Sequence, residues 1–506
     1  MGIAKPRALG VSPGASRRLK IRTERTPRAG GLFDSETIPL AVDLDGTLIK
    51  TDITWESLLA LLKQNPFLIF RIPIWIVKGK AYLKQEIARR ITLDVTRLPY
   101  NNEFLDFLRK EHDRGRILIL TTASDSAVAE RIADHLGIFA EVLASNGNRN
   151  LKGINKAKVL QEKFGYKGFD YAGNEAADLE VWARSHAAIV VNAPRRLIRQ
   201  TKTKGCVTRV VTEKKDTLGA LLRVIRPKHW IKNSLIFVPL ITSQELTNFA
   251  LVQQAIGAFV AFSLVASSVY LLNDLTDLYN DRRHHEKKNR PFASGELSLP
   301  SGLLMIPLFL FAGLCVSLIL PRRFLLVLGG YFVLNVAYSL YLKRILLVDV
   351  LLLAIFYTLR VIGGSVATDI PLSNWLLVFS VFMFQSLAFA KRVSELQFLR
   401  DHEEESTRGR GYVCTDLEQL ASLGAASGYI AVLVFTLYLD SPAVKELYSS
   451  TATLWIVCPL LLYWISRLWL MVHRRQVSED PIVFVLKDKV SCFIGLAVVI
   501  ALLVAG

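Results

Sequence analysis

Long apolar runs fill the second half of the chain and constrain the fold more than any other feature. From about residue 230 to residue 506, these runs alternate with charged loops. A membrane-spanning helix needs about 20 predominantly apolar residues, and runs begin near 230, 249, 302, 323, 346, 374, 419, 452 and 485. The first run is the weakest because Pro239 interrupts it. The sequence predicts an all-α polytopic membrane bundle of about nine transmembrane helices over residues 214–506.

The first half alternates charged and apolar stretches in the manner of a soluble protein. Residues 1–36 are basic with little apolar content, which predicts a disordered tail. Residues 37–213 are expected to form a separate soluble domain. The net charge of +18 lacks the stripe of basic and aromatic residues that is typical of nucleic-acid-binding proteins. We therefore expect no nucleic acid as a partner.

Basic residues in the loops predict the orientation of the bundle. If the chain starts in the cytoplasm, nearly all loop lysines and arginines fall on the cytoplasmic side. The opposite loops hold only Arg322, Arg323 and Lys445. An excess of Lys and Arg marks cytoplasmic loops, so the soluble domain is expected in the cytoplasm.

The second apolar run ends in a cluster of oxygen-bearing side chains. The cluster consists of Asn273, Asp274, Asp277 and Asp281. Spacings of three and four residues place the carboxylates on one helical face. Carboxylates so close repel unless a cation lies among them, and Mg²⁺ takes such oxygens together with substrate phosphate. Lys287, Lys288 and Arg290 follow as candidate phosphate-binding residues; a solvated acidic helix end is the simpler alternative.

This segment resembles the first aspartate motif of the UbiA superfamily of intramembrane prenyltransferases. Residues 273–281 fit the pattern N-D-x-x-D-x-x-x-D, and Arg-Pro-Phe-Ala-Ser-Gly follows at 290–295 as it does in that family. The resemblance extends over residues 220–506. It implies that the four residues of the cluster bind Mg²⁺ and a diphosphate.

The second aspartate motif of that family is reduced in this chain. After Tyr338 and Lys343, which are candidate substrate-binding residues, only Asp349 remains as a carboxylate. Asp349 and Arg360 both fall within the fifth predicted span, where charged residues are expensive and are expected to be functional. Their spacing of three helical turns puts both on one face, toward the bundle interior. For Arg360 the alternative is snorkelling to the outer interface.

The sixth predicted span ends in a further charged cluster. Lys391 and Arg392 are expected to hold phosphate, and Glu395 to orient them or to bind a sugar hydroxyl. An ordinary helix-end pair between Lys391 and Glu395 is the alternative. This cluster and residues 226–233 together resemble one branch of the UbiA superfamily, the decaprenyl-phosphate phosphoribosyltransferases. That resemblance implies 5-phosphoribosyl diphosphate as donor and a polyprenyl phosphate as lipid-linked acceptor.

A short apolar strand delivers two acids into a glycine turn in the first half. The sequence D-L-D-G-T at 43–47 resembles the first motif of the haloacid dehalogenase-like (HAD) phosphohydrolases, and three later segments match the other motifs over residues 38–192. The resemblance implies an α/β Rossmann-like domain with a helical cap and an aspartyl-phosphate nucleophile. The implied residues are Asp43 as nucleophile, Asp45 as acid/base, Thr122 and Lys156 as phosphoryl contacts, and Asp43, Asn174 and Asp178 at a Mg²⁺ site.

Two features of this half leave alternatives open. Asn174 stands where the HAD family usually has an aspartate, and an amide oxygen attracts Mg²⁺ less than a carboxylate does. An inactive domain that stabilises or regulates the membrane half is therefore the alternative to a phosphatase. The insert from Pro66 to Val77 mixes apolar and basic residues, which favours a helix in the membrane interface or an ordinary cap core.

Both resemblances together predict two reactions on one lipid. The membrane half would transfer phosphoribose and the soluble half would remove the 5-phosphate. Prenyl transfer from a polyprenyl diphosphate to an aromatic acceptor and a non-catalytic membrane scaffold are the alternatives. Because both families are common in bacteria, the bacterial inner membrane is the expected location.

Overall fold

The computed structural model describes residues 38–145, 150–204, 207–213, 216–401, 410–477 and 481–505. The predicted basic tail, residues 1–36, lies outside the described residues. A soluble α/β domain precedes a helical domain with membrane-spanning helices, which confirms the predicted fold class.

Six parallel strands form one sheet in the soluble domain, in the order β3-β2-β1-β4-β5-β6. The strands are β1 (Leu40–Val42), β2 (Leu118–Asp125), β3 (Glu141–Ser145), β4 (Asp170–Gly173), β5 (Ala188–Val191) and β6 (Val207–Val211). Central β1 aligns Leu40 with Leu118 of β2 and with Asp170 of β4. Leu40 belongs to one apolar cluster and Ala41 to another, so both faces of the sheet are covered.

Helices cover this sheet and form a cap beside it. They are α1 (Ile53–Gln64), α2 (Ile72–Val77), α3 (Lys80–Ala88), α4 (Asn102–Asp113), α5 (Ser126–Leu136), α6 (Ile154–Phe164), α7 (Leu179–Trp182) and α8 (Arg195–Lys204). The cap lies between β1 and β2 and comprises α1 to α3 with a 3₁₀ helix at Pro66–Arg71. Asp52 begins α1, where its side chain accepts hydrogen bonds from the N–H groups of Thr54 and Trp55.

The second domain is entirely helical. Its helices are α9 (Thr217–Ile225), α10 (Val238–Thr242), α11 (Phe249–Thr276), α12 (Leu278–Arg283), α13 (Leu299–Ser317), α14 (Arg322–Leu340), α15 (Val348–Thr368), α16 (Asn374–Asp401), α17 (Leu417–Leu439), α18 (Pro442–Leu447), α19 (Thr451–Leu454), α20 (Val457–His473), α21 (Pro481–Lys487) and α22 (Lys489–Ala505). Buried apolar side chains from α11, α14 and α15 form one core, and side chains from α16, α17 and α20 contribute to another.

Seven helices of the described chain are long and apolar enough to cross a membrane, so the predicted count of nine is not confirmed. The seven are Phe249–Thr276, Leu299–Ser317, Arg322–Leu340, Val348–Thr368, Asn374–Asp401, Cys414–Leu439 and Thr451–His473. The two remaining predicted spans are shorter. The last is the 17-residue helix α22, which Asp488 separates from α21.

The first predicted span is an 11-residue 3₁₀ helix, Pro227–Phe237, followed by the five-residue α10. Trp230 and Asn233 donate hydrogen bonds to Ser267 and Ser263 of α11. Farther along, the Ile236 carbonyl packs directly on Gly364 of α15, where a side chain would collide with it. At about 2.0 Å per 3₁₀ residue and 1.5 Å per α-helical residue, the segment rises about 29 Å alongside α11.

Candidate active sites

The soluble domain has a buried cluster at the carboxyl edge of β1, β2 and β4. Lys156 of α6 places its Nζ 2.5 Å from Oδ1 of Asp43, which follows β1, and 2.8 Å from the Tyr171 hydroxyl. That hydroxyl donates to Oδ1 of Asp178 at 2.8 Å. Carboxyl ends of parallel strands are where open α/β sheets bind ligands. At this edge the structure brings the predicted nucleophile, Asp43, into direct contact with Lys156.

Asp45 lies in the same cluster and receives two donors. The Ile53 N–H at the start of α1 donates to Oδ1 at 2.8 Å, and the Ser124 hydroxyl donates to Oδ2 at 2.7 Å. Ser124 also donates its N–H to the hydroxyl oxygen of buried Thr122 at 3.0 Å. All four predicted catalytic residues, Asp43, Asp45, Thr122 and Lys156, therefore meet at one edge of the sheet.

Burial changes the titration of both acids. It raises the pKa of Asp43 to about 6, against the opposing effect of Lys156. Burial also raises the pKa of Asp45 to about 7, and nearby Asp52 adds to the shift. A carboxyl group that titrates near neutral pH suits a general acid/base role.

The oxygens of this cluster suit a hard cation. Asp43 Oδ2 and Asn174 Oδ1 both accept from the Thr47 hydroxyl, at 3.4 and 3.2 Å, so two candidate ligands converge from neighbouring strands. Asp178 contacts Tyr171 through Oδ1, while its Oδ2 accepts the N–H groups of Asn174 and Glu175. Asn174 also packs on Gly46, whose φ of +77° closes the turn after Asp45. The predicted Mg²⁺ residues are adjacent, with Asp178 orienting the loop that carries Asn174.

The membrane domain has a second polar centre where α11 ends. The helix breaks at Asp277, and yet the three aspartates stay close. Arg290 Nη1 lies 3.0 Å from Asp274 Oδ1 and 2.8 Å from Asp281 Oδ2. Burial raises the pKa of Asp281 to about 6, although Arg290 opposes that shift. The clustered carboxylates expected from the spacing are therefore present.

Three further basic side chains neutralise this cluster. Arg226, before the 3₁₀ segment, contacts Asp274 Oδ1 at 2.5 Å. Lys343 Nζ lies 2.9 Å from Asp277 Oδ2, and Lys63 of the soluble domain lies 3.5 Å from Asp277 Oδ1. Burial acts to raise the pKa of Asp277, but Lys343 and Lys63 outweigh it and the pKa is lowered.

Asn273 supplies the test of whether this centre fits a metal ion. In the part of the chain that the structure describes, no three His, Cys, Asp or Glu side chains are arranged around a common ion position. Each aspartate is turned toward a basic partner instead. Buried Asn273 Oδ1, however, has no hydrogen-bond partner among the described residues. Three carboxylates and an unpaired amide oxygen are the donor chemistry that Mg²⁺ prefers.

A third cluster lies where α15 begins and α16 ends. Asp349 is fully buried, accepts the Tyr412 hydroxyl and lies 2.6 Å from Arg392 Nε. Arg392 also pairs with Glu395 and donates to the Tyr338 hydroxyl at 3.3 Å. Arg410 contacts Glu395 from the other side. Asp349, Tyr338, Arg392 and Glu395, all predicted from the sequence, therefore form one network.

Arg360 lies inside the bundle and not at its outer surface. Its side chain is buried on α15, where Nε donates to Asn233 Oδ1 at 2.7 Å and Nη2 to the Tyr331 hydroxyl at 3.0 Å. Its guanidinium also lies 5.5 Å from the Tyr357 ring centre. These contacts exclude the snorkelling alternative and tie α14 and α15 to the 3₁₀ segment.

The remaining predicted residues lie at the edges of these centres. Lys287 is half-buried and Lys288 exposed on a short 3₁₀ turn, and among the described residues no contact joins either side chain to an aspartate. Lys391 is half-buried beside Arg392. Glu395 pairs with Arg392 and Arg410.

Several functional contacts were not predicted. Ser124 lies two residues beyond Thr122, and Tyr171 lies two residues before Gly173, so inspection of the motif flanks would have found both. Lys63 gives no such signal, because its partner Asp277 is more than 200 positions away in the other domain.

The two domains are joined by a buried ion pair next to the aspartates. Glu56 of α1 accepts from Arg282 Nη1 at 3.0 Å and from Nη2 at 2.6 Å, and both side chains are buried. Arg282 Nε also donates to the Ala293 carbonyl at 2.9 Å. The pair therefore fixes α1 against the loop that follows the aspartate cluster.

Comparison with known proteins gives two family matches. The model for the UbiA prenyltransferase family matches residues 237–494, and that for haloacid dehalogenase-like hydrolases matches residues 40–186. The uncharacterized protein y4nM of Sinorhizobium fredii is 37% identical over 94% of this chain and 92% of its own length. Nodulation protein NoeC of Azorhizobium caulinodans is 35% identical over 54% of this chain and 89% of its own length.

A third relative matches a shorter part of the chain. The decaprenyl-phosphate phosphoribosyltransferase of Mycolicibacterium smegmatis is 35% identical over 187 residues, which is 36% of this chain and 59% of that enzyme. The matched region is thus less than two thirds of the enzyme.

Proposed function

Because the chain belongs to the UbiA prenyltransferase family and carries a haloacid dehalogenase-like domain, we propose that it catalyses two steps on one lipid. The membrane domain transfers phosphoribose from 5-phosphoribosyl diphosphate to a polyprenyl phosphate, and the soluble domain removes the 5-phosphate. The relative from Mycolicibacterium smegmatis supports this donor and acceptor by its name. The proposal places the multi-pass protein in a bacterial inner membrane with its soluble domain in the cytoplasm.

The observation that supports phosphoribosyl transfer is the burial and pairing of Asp349. It is the one carboxylate in the region of the reduced second motif, and it is buried against Arg392 and Tyr412. This side of the site is therefore not an aspartate-lined metal site. Its other charged groups include Lys343, Lys391 and Arg410, which suit the phosphate of an acceptor lipid.

The aspartate cluster binds the donor in this proposal. Asn273, Asp274, Asp277 and Asp281 would hold Mg²⁺, which when bound offsets the charge of the leaving diphosphate. Arg226, Arg290 and Lys343 now neutralise these carboxylates. With the metal present they are free to bind phosphate oxygens. The ribose C1–O bond to diphosphate breaks, and an acceptor phosphate oxygen forms the new bond.

The soluble site supports the second step by its geometry. Asp43 attacks the phosphorus of the 5-phosphate while Lys156, in contact with Asp43 Oδ1, offsets the phosphoryl charge. Asp45, with a pKa of about 7, donates a proton to the departing ribose oxygen. Water then hydrolyses the aspartyl phosphate and releases inorganic phosphate.

The test of both steps follows a label from donor to lipid. Purified protein in detergent receives Mg²⁺, a polyprenyl phosphate and 5-phosphoribosyl diphosphate labelled in the ribose. We expect labelled lipid that lacks the 5-phosphate. Asp274→Asn should reduce label transfer at least 100-fold, as the loss of a group that stabilises the transition state does. Asp43→Asn should leave transfer intact and accumulate the lipid that retains the 5-phosphate.

Matched aspartates provide the controls. Asp369→Asn, at the far end of α15, and Asp106→Asn, on the exposed face of α4, should behave as the unmodified protein does. Absence of label in the lipid from a folded protein would contradict phosphoribosyl transfer, and prenylation of an aromatic acceptor would be tested next. Transfer without loss of the 5-phosphate would contradict the second step.

A further inference from the structure

Helix α1 reaches from one active centre to the other. At its start, the Ile53 N–H donates to Asp45 of the soluble site. Near its end, Lys63 lies 3.5 Å from Asp277 of the membrane site. A helix of 12 residues is about 18 Å long. The two centres therefore share one rigid element of the cap.

Asp277 is held by two lysines that come from different domains. Lys343 Nζ contacts Oδ2 at 2.9 Å, and Lys63 Nζ lies on the Oδ1 side at 3.5 Å. The side chains of Lys63, Asp277 and Lys343 are 29%, 28% and 18% exposed, so none of the three is sealed from a ligand. Lys63 therefore occupies a position equivalent to that of Lys343.

The position of Lys63 is fixed by the domain interface. Glu56 lies two helical turns earlier on α1, on the same face, and forms the buried pair with Arg282. A shallow cleft between the domains is lined by side chains that include Glu56, Lys63 and Arg282. Lys63 thus contributes to the wall of this cleft, and its ammonium group lies 3.5 Å from Asp277 Oδ1.

Holding the two domains together does not by itself account for the position of Lys63. A partly exposed ion pair at this distance contributes about 0–1 kcal/mol, and the Glu56–Arg282 pair already joins the domains. The geometry points to Lys63 as a phosphate-binding residue of the membrane site that the soluble domain supplies. With the aspartates occupied by Mg²⁺ and the diphosphate of the donor, Lys63 donates to a diphosphate oxygen alongside Lys343. This inference rests on the proposed function only in requiring a diphosphate donor.

Binding of magnesium diphosphate by the full chain in detergent, measured by isothermal titration calorimetry, tests the inference. Lys63→Gln and Lys63→Met should each weaken binding about tenfold, which is the effect expected for one charge-assisted hydrogen bond. Lys63→Arg should restore most of the affinity, and Lys343→Gln should weaken binding to a similar extent. Lys110→Gln removes a charge from the exposed face of α4 and should bind as the unmodified protein does.

The outcomes separate this inference from the proposed function. If both neutral Lys63 variants bind magnesium diphosphate as tightly as the unmodified protein, Lys63 is a domain contact only and the inference is wrong. If the two variants bind weakly and Lys63→Arg does not recover affinity, the inference is also wrong, because packing and not charge is then responsible. If binding depends on the Lys63 charge while no phosphoribose reaches lipid, the inference stands and the phosphoribosyl proposal fails.

Discussion

At the scale of single residues, Asn174 is the residue that we expect to set the Mg²⁺ affinity of the soluble site. Its amide oxygen converges with Asp43 on the Thr47 hydroxyl, in the position of a ligand but without a negative charge. A neutral oxygen binds Mg²⁺ through its dipole alone. We therefore expect the soluble site to bind Mg²⁺ more weakly than a site with a carboxylate at this position.

Replacing Asn174 with aspartate should strengthen the metal site. We expect Asn174→Asp to lower the Mg²⁺ concentration for half-maximal 5-phosphate removal about tenfold, because it restores an anionic ligand of the same size. The measurement is a Mg²⁺ titration of phosphate release. Asn155→Asp, on the surface at the start of α6, is the matched control. An unchanged Mg²⁺ requirement in Asn174→Asp would show that Asn174 is not a ligand.

Arg360 makes a prediction about stability. Arg360→Met keeps the approximate length of the side chain and leaves Asn233 Oδ1 and the Tyr331 hydroxyl oxygen without the donor that Arg360 provides. Each buried polar group left unpaired costs about 1–3 kcal/mol. Thermal unfolding in detergent should show a lower midpoint temperature for Arg360→Met. Arg323→Met, at the exposed start of a helix, should not change the midpoint temperature. Equal midpoints would mean that water replaces the lost partners.

At the scale of elements, the cap carries an apolar surface. Phe67, Phe70 and Val77 are 79%, 75% and 88% exposed, while Trp75 is buried beneath them. The segment begins at Pro66, three residues after Lys63, whose partner Asp277 directly follows the last residue of the α11 span. The exposed apolar side chains therefore follow closely, along the chain, a contact with the end of the α11 span, which favours a membrane-interface segment over a cap core.

Photo-crosslinking tests this placement in the intact protein. Benzoylphenylalanine at Phe67 should crosslink to lipid when the full chain is reconstituted in nanodiscs, because its side chain contacts the bilayer. The same group at Tyr166, an exposed aromatic residue on the soluble domain, should not crosslink to lipid. Equal lipid labelling at both positions, or none at Phe67, would contradict contact with the bilayer.

At the scale of the whole molecule, one buried ion pair couples the two domains. Removing Glu56 leaves Arg282 buried and unpaired, which costs about 3–5 kcal/mol. Glu56→Gln should therefore lower the unfolding midpoint and separate the unfolding of the two domains. Adding Arg282→Gln to Glu56→Gln should cost little more, whereas Glu103→Gln on α4 should change nothing. If the two substitutions lower the free energy of unfolding independently and additively, the two side chains are not coupled.

Much of the molecule could be predicted from short motifs, but the contacts between the two domains could not. The long apolar runs predicted most of the spanning helices, and spacing predicted the carboxylate cluster around Asp274. The resemblance to the HAD motifs predicted the residues that meet around Asp43. Arg226 falls within residues 226–233, which contribute to the phosphoribosyltransferase resemblance. The Glu56–Arg282 and Lys63–Asp277 pairs were not predictable, because no periodicity or spacing within one domain encodes a contact with the other.

The 3₁₀ segment before α11 has a consequence for reading membrane topology. Its 11 residues rise about as far as 15 residues of α-helix, so a length threshold set for α-helices passes over it. Loops between successive spans are assigned to alternate sides of the membrane. The side given to each loop therefore depends on whether the number of spans before it is odd or even. If the segment crosses the membrane, a count that omits it inverts the side given to the C-terminus relative to the N-terminus. Such a count places the soluble domain and the aspartates it touches on opposite faces of the bilayer, although Lys63 and Asp277 are in contact.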